Sequence, residues 1–109
     1  MKIYLISSQL NDDILYKIGV TKRDVAKRIK ELKTGNAATL NVVNIFESKW
    51  ATKIEANLHT SYASTNVSGE WFKLEQTEVD NFSNRCQMIH DNLELISKTN
   101  TWIIDKNIL

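Results

Sequence analysis

Four side chains in the first half of the chain suit chemistry on a phosphate group: Tyr4, Lys17, Arg28 and Glu55. Hydrolysis of a phosphodiester needs a nucleophilic water, stabilisation of charge on the phosphoryl oxygens and help for the leaving group. The planar fork of an arginine matches phosphate oxygens. A lysine beside a tyrosine can lower the pKa of a phenol or orient a water. These four residues therefore predict a hydrolytic site.

Glu55 is the candidate metal ligand because its carboxylate offers a hard oxygen. One carboxylate, completed by waters and a substrate phosphate, is typical of a Mg²⁺ site, with Mn²⁺ as the alternative. His59 follows one helical turn later on the same side and is a further catalytic candidate. Structural alternatives stay open: Glu55 as a surface carboxylate paired with Lys53 or His59, His59 as a half-buried histidine with its hydrogen bonds satisfied, and Tyr4 as a strand aromatic.

A basic segment surrounds two of these candidates. Residues 17–33 hold seven basic and two acidic residues, a net charge of +5, whereas residues 34–109 carry −3. This asymmetry favours a polyanionic partner, although a solvated helix face would have the same composition. The predicted contacts with the polyanion are Lys22, Arg23, Lys27, Lys30 and Lys33.

The elements that must position these side chains follow from periodicity. Alternating residues predict strands at about 2–7 and 14–20, joined as an antiparallel hairpin in which Tyr4 and Lys17 share a face. Further elements are a helix at 24–34 with the apolar stripe Val25, Ile29 and Leu32, a strand at 40–49, a helix at 50–63, an extended piece at 70–74 and a helix at 78–97.

The predicted fold is α+β: a small three-stranded, mainly antiparallel sheet flanked by helices in the order β-β-α-β-α, with an added C-terminal helix. Residues 1–75 form the predicted core. Residues 76–109 form a C-terminal helix and tail packed on the core or on a partner subunit, which makes a homodimer possible.

Length and composition set the protein class. The chain has 109 residues, which predicts one domain, and a single cysteine, Cys86, which excludes an internal disulfide and a cysteine-rich metal site. The N-terminal apolar run is too short for a signal peptide, and no stretch approaches the ~20 apolar residues of a membrane span. We therefore expect a cytoplasmic protein without a membrane partner.

Five short motifs follow one another along the chain: Tyr4 in the first strand, Tyr16-Lys17-Ile18-Gly19-Val20-Thr21, Arg28-Ile29-Lys30-Glu31-Leu32, Glu55-Ala56-Asn57-Leu58-His59 and Glu70-Trp71-Phe72. Together they resemble the GIY-YIG nuclease superfamily, and more closely a compact phage and bacterial branch of it. The resemblance covers about residues 2–75. The chain departs from the classical pattern in three places: Lys2 stands where the family name has its first glycine, Lys17 where classical members have tyrosine, and Leu32 where some classical members have a histidine.

The resemblance implies a divalent metal and hydrolysis of DNA phosphodiester bonds, so that the chain would be a metal-dependent DNA endonuclease. Two other functions remain possible on the sequence. One is a DNA-binding or regulatory module that keeps the fold and the basic helix without cleaving. The other is a protein-interaction domain that works through the C-terminal helix and Trp102-Ile103-Ile104.

Overall fold

The computed structural model describes residues 1–10, 12–33 and 39–99. Its strands are β1 (Lys2–Leu10), β2 (Asp13–Thr21), β3 (Thr39–Glu47), β4 (Asn66–Ser68) and β5 (Trp71–Phe72). Its α-helices are α1 (Val25–Lys33), α2 (Ala51–Ser61), α3 (Gln76–Asp80) and α4 (Phe82–Thr99), with a 3-10 turn at Ala63–Thr65. The predicted α+β class is confirmed.

The strands form one antiparallel sheet in the order β3-β1-β2-β5-β4. Its first three strands are those predicted, so the three-stranded sheet was a coarser description of a five-stranded one. The two added strands are a short hairpin that turns at Gly69, whose φ of 55° suits a residue without a side chain. Strand β5 pairs with β2 only at Tyr16 and Lys17, so among the described strands none neighbours β2 on that side after Lys17.

Strand β1 is buried on both faces of the sheet, so its alternating residues enter two different apolar clusters. Ile3 and Leu5 pack with α2 and α4 in the larger apolar cluster, which includes Ile54 and Leu58. Tyr4 and Ile6 lie on the other face, in a smaller cluster closed by residues of α1 and β3: Val25, Ile29 and Leu40. The register pairs Tyr4 with Gly19 and Ile6 with Lys17, which confirms that Tyr4 and Lys17 share a face.

The predicted C-terminal helix is two helices, because the chain turns at Asn81 between α3 and α4. Its apolar stripe packs on the body of the same chain, where Phe82, Cys86 and Leu93 are buried. The tail residues Trp102-Ile103-Ile104 lie outside the described residues, and a homodimer through α4 stays a prediction. Among the helices that the structure describes, none is long and apolar enough to cross a membrane.

Candidate active site

Tyr4 and Gly19 are packed tightly against each other. The two residues face each other across β1 and β2, and the tyrosine ring lies directly over the glycine. A Cβ atom added to Gly19 would lie 2.6 Å from ring carbon Cζ of Tyr4 and closer still to its hydroxyl. The ring is only 1% exposed. Gly19 is therefore needed for space, since any side chain would displace the ring.

Gly19→Ala is expected to destabilise the protein by about 1–3 kcal/mol, the usual cost of overpacking a buried site. The buried ring must shift, which also moves its hydroxyl. Urea unfolding of the variant beside wild type measures the loss, and Tyr4→Phe, which removes the hydroxyl without a clash, is the control. A Gly19→Ala variant as stable as wild type would show that the ring can move freely.

Arg28 lies on α1 between two oxygen-bearing side chains. The helix starts where the Asp24 carboxylate accepts the Ala26 N–H at 2.8 Å, as N-terminal capping residues do. The Arg28 guanidinium lies against the Tyr4 hydroxyl, and this hydrogen-bonding interaction is the largest cause that raises the pKa of Arg28, followed by the hydrogen bond to Glu31. The partly buried guanidinium thus has two oxygen groups beside it, the Tyr4 hydroxyl and the Glu31 carboxylate, and it is hydrogen-bonded to Glu31 at 3.2 Å.

Glu31 holds a second arginine as well. Its carboxylate accepts two hydrogen bonds from Arg23, at 2.7 and 2.9 Å, and one from Arg28 at 3.2 Å. The two guanidinium groups lower the pKa of Glu31, so it stays a carboxylate in neutral solution. A phosphate that binds Arg28 must therefore compete with Glu31.

Lys17 is nearly buried, with 9% of the residue exposed. Its ammonium makes an ion pair with Glu70 and lies 5.8 Å from the centre of the Trp71 ring. Both partners belong to the hairpin that pairs with β2. The E-W-F motif thus surrounds the lysine of the Y-K-I-G motif.

Glu55 and His59 extend from α2 toward the edge of β2. The His59 ring donates a hydrogen bond from Nε2 to the carbonyl of Ile18 at 2.9 Å. It also makes an edge-to-face contact with the Phe72 ring, with 4.9 Å between ring centres. This arrangement is that of a half-buried, hydrogen-bonded histidine, which is the structural alternative to a catalytic role for His59. Glu55 is half-buried, and burial is the largest cause that raises its pKa. The nearby His59 and Lys17 act to lower the pKa of Glu55, and Glu70 acts to raise it.

The predicted residues thus fall into two groups beside two helices that pack on opposite faces of the sheet, α1 on the Tyr4 face and α2 on the other. Tyr4 and Arg28 form one group under α1, and Lys17, Glu55 and His59 form the other at the edge of β2. Trp71 joins them, because it packs against the Tyr4 cluster and lies beside the Lys17 ammonium. In the described ranges, no three histidine, cysteine, aspartate or glutamate side chains come together as a metal cage. A cavity of about 620 Å³ between α2 and α4 is lined by none of the predicted site residues.

The predicted polyanion contacts lie on and just before α1. Lys22, Arg23, Lys27 and Lys30 are exposed, while the side chain of Lys33 lies outside the description. Arg23 is held by Glu31. Lys27 and Lys30 share α1 with Arg28, and Lys22 and Arg23 precede the helix.

Two residues of the site have no assigned role in the sequence-based predictions: Glu31 and Glu70. Each is the carboxylate partner of a predicted catalytic cation. Glu31 follows Arg28 by three residues, a spacing that brings side chains together on a helix. The partner of Lys17 lies 53 residues away, and its only sequence signal was its place in the E-W-F motif.

Comparisons with known proteins give one match. The T5orf172 domain matches residues 1–87, a range that runs from β1 into α4. No curated protein and no solved structure matches the chain. Since the match covers most of the 109 residues, the chain belongs to the T5orf172 domain family.

Proposed function

We propose that this chain is a divalent-metal-dependent endonuclease that hydrolyses DNA phosphodiester bonds through a GIY-YIG-type site. The T5orf172 domain is related to GIY-YIG- or HNH-like nucleases in some classifications, which supports a nuclease. The observation that carries it lies at β2: the nearly buried Lys17 ammonium and the half-buried Glu55 carboxylate are close enough to interact, and Arg28 lies against Tyr4, whose hydroxyl packs over Gly19 of the same strand. A surface that only binds DNA has no need for the carboxylate, which repels phosphate.

The residues present fit a hard divalent cation with few protein ligands. Glu55 is partly accessible and offers carboxylate oxygens, and Mg²⁺ commonly takes one or two carboxylates and completes its shell with water and phosphate oxygens. Glu55 would hold the ion, and Mn²⁺ would serve as well. When bound, such an ion polarises the phosphoryl group and supports a water nucleophile. Metal binding depends on pH because only the ionised carboxylate is a ligand, and the raised pKa of Glu55 moves that dependence to higher pH.

The other side chains have roles that follow from their contacts. Arg28 binds the phosphoryl oxygens and stabilises the charge that grows on them. Lys17 supplies a second positive charge or orients the water. Tyr4 is buried beneath α1, so substrate reaches its hydroxyl only if Arg28 shifts. The main role of Tyr4 is therefore to orient Arg28. The role of His59 is to join α2 to β2 beside Glu55.

One observation favours the second candidate, a non-cleaving DNA-binding module. Tyr4 is 1% exposed, and both cations of the site already have carboxylate partners. A site that never releases those partners would bind DNA through the exposed lysines alone. The two functions differ in whether wild type breaks a phosphodiester bond.

The deciding experiment is nicking of supercoiled plasmid with Mg²⁺ or Mn²⁺, using wild type beside Glu55→Ala. The proposal expects wild type to nick and Glu55→Ala to be inactive while still binding DNA. If wild type binds DNA but cleaves no DNA or RNA with Mg²⁺, Mn²⁺, Co²⁺ or Ni²⁺, the binding module is the better description.

DNA binding itself is expected to depend on α1. Reversing Lys27 and Lys30 to glutamate should weaken binding and reduce its salt dependence, since each phosphate contact releases counterions. The matched control reverses two exposed lysines elsewhere, Lys73 and Lys98, and so changes the net charge equally. Fluorescence anisotropy over a range of salt concentrations measures both pairs. Equal losses would mean that α1 is not the contact surface.

A further inference from the structure

The turn before β5 presents Glu70 in a fixed position. Gly69 adopts a left-handed backbone with φ of 55°, and the Asn66 side-chain amide donates to the carbonyls of Gly69 and Trp71 at 2.8 and 3.0 Å. The Glu70 carbonyl accepts the N–H of Ile18 at 3.3 Å. The backbone of Glu70 is therefore tied to β2 on one side and to its own turn on the other.

The Glu70 side chain meets the only strongly buried cation among the described residues, Lys17. Burying an ammonium is unfavourable unless a partner offsets its lost hydration. Glu70 supplies that partner, and the Trp71 ring borders the ammonium on another side. The charged and titratable groups around Lys17 are Glu70 from the turn and Glu55, which adjoins His59, from α2.

We propose that Glu70 is a positioning residue, which holds the Lys17 ammonium at the edge of β2 next to Glu55. The inference rests on the proposed function, because Lys17 is the second positive charge of the proposed active site. Glu70 acts through Lys17 and does not ligate the metal. An unrestrained lysine would sample many rotamers, and misplacement of a catalytic group by about 1 Å can cost on the order of 100-fold in rate.

The test is a double-mutant cycle with Glu70→Gln, Lys17→Met and the double variant, all in the full chain. Asp91→Asn on α4 is the control, because it makes the same charge change at an exposed residue of another element. Glu70→Gln should lower the urea midpoint of wild type but leave that of Lys17→Met unchanged, since the pair is already broken there. An equal shift in both backgrounds would overturn the pairing.

Kinetics distinguish positioning from a structural role or metal ligation. Glu70→Gln should lower kcat by about 10- to 100-fold and leave KM and Mn²⁺ affinity, measured by calorimetry, close to wild type. Glu70→Asp should recover part of kcat. A tenfold loss of Mn²⁺ affinity would make Glu70 a metal ligand, and an unchanged kcat would make the pair merely structural. If wild type cleaves nothing, the proposed function fails, whereas the urea cycle still decides the pairing.

Discussion

Replacing Glu55 with glutamine is expected to abolish metal-dependent nicking and also to stabilise the protein at pH 7. Glutamine keeps the shape of the side chain but is a poor ligand for a hard cation, so cleavage is lost. Burial raises the pKa of Glu55, which means that the folded state holds the carboxylate at a cost. Glutamine removes that cost because it resembles the protonated acid.

The stabilisation should depend on pH with a definite sign. A carboxyl group whose pKa is raised on folding contributes stability below its unfolded pKa, about 4.3 for glutamate, and loses it as the pH rises through the folded value. The advantage of Glu55→Gln should therefore be full at pH 7 and vanish in acid. Urea unfolding at several pH values measures it, with Asp91→Asn as an exposed control.

The same measurements can contradict the assignment in two ways. Nicking by Glu55→Gln at the wild-type rate would remove Glu55 from the metal site. A lower urea midpoint at pH 7 would make Glu55 a structural residue whose charge helps folding. Wild-type cleavage should also fall in acid at a higher pH than an ordinary glutamate would give, because Glu55 must be ionised to bind metal.

The sequence predicted the parts of this site that depend on strand alternation and helix periodicity. Alternation in β1 and β2 placed Tyr4 and Lys17 on one face, and the register confirms it. Periodicity placed Ile54 and Leu58 inward on α2, and both are buried. Periodicity did not place Glu55, whose candidacy came from its carboxylate and from its motif; it follows the buried Ile54 and is itself half-buried.

The parts that escaped prediction depend on contacts between distant residues. Strand β5 lies within the extended piece predicted at 70–74, but β4 was missed, because its three residues are too few for alternation to show. The break at Asn81 lacks glycine or proline, and one apolar stripe continues through α3 and α4. The pairing of Lys17 with Glu70 arises only when the hairpin docks against β2, so no local pattern contains it.

The two cations of the proposed site are not free in the folded chain. Arg28 and Lys17 are each paired with a carboxylate of the same chain. Under the proposed function, an incoming phosphate would compete with Glu31 for Arg28, so that DNA binding would exchange one anion for another. The exposed lysines of α1 would draw the phosphate, whereas Glu31 would keep its hydrogen bonds to Arg23.

Arg28→Ala is expected to lower kcat by on the order of 10²–10³, the usual effect of removing one donor from a developing oxyanion. Arg28→Lys keeps the charge but loses the planar fork that faces both Tyr4 and phosphate, so it should recover only part of the rate. Both variants should stay folded, because Arg28 is half exposed and the buried positions of α1 are Val25 and Ile29. Single-turnover nicking and a thermal melt on the same preparations measure rate and folding.

Arg23→Ala is the matched control for this prediction. Arg23 shares Glu31 with Arg28 and has the same charge, but it does not contact Tyr4 among the interactions of the described residues. Its loss should weaken DNA binding modestly, as the loss of a phosphate contact does, and leave the single-turnover rate at saturating protein near that of wild type. If Arg23→Ala slows the chemical step as much as Arg28→Ala, the effect belongs to the network around Glu31. Arg28 would then lose its assigned contact with the reacting phosphate.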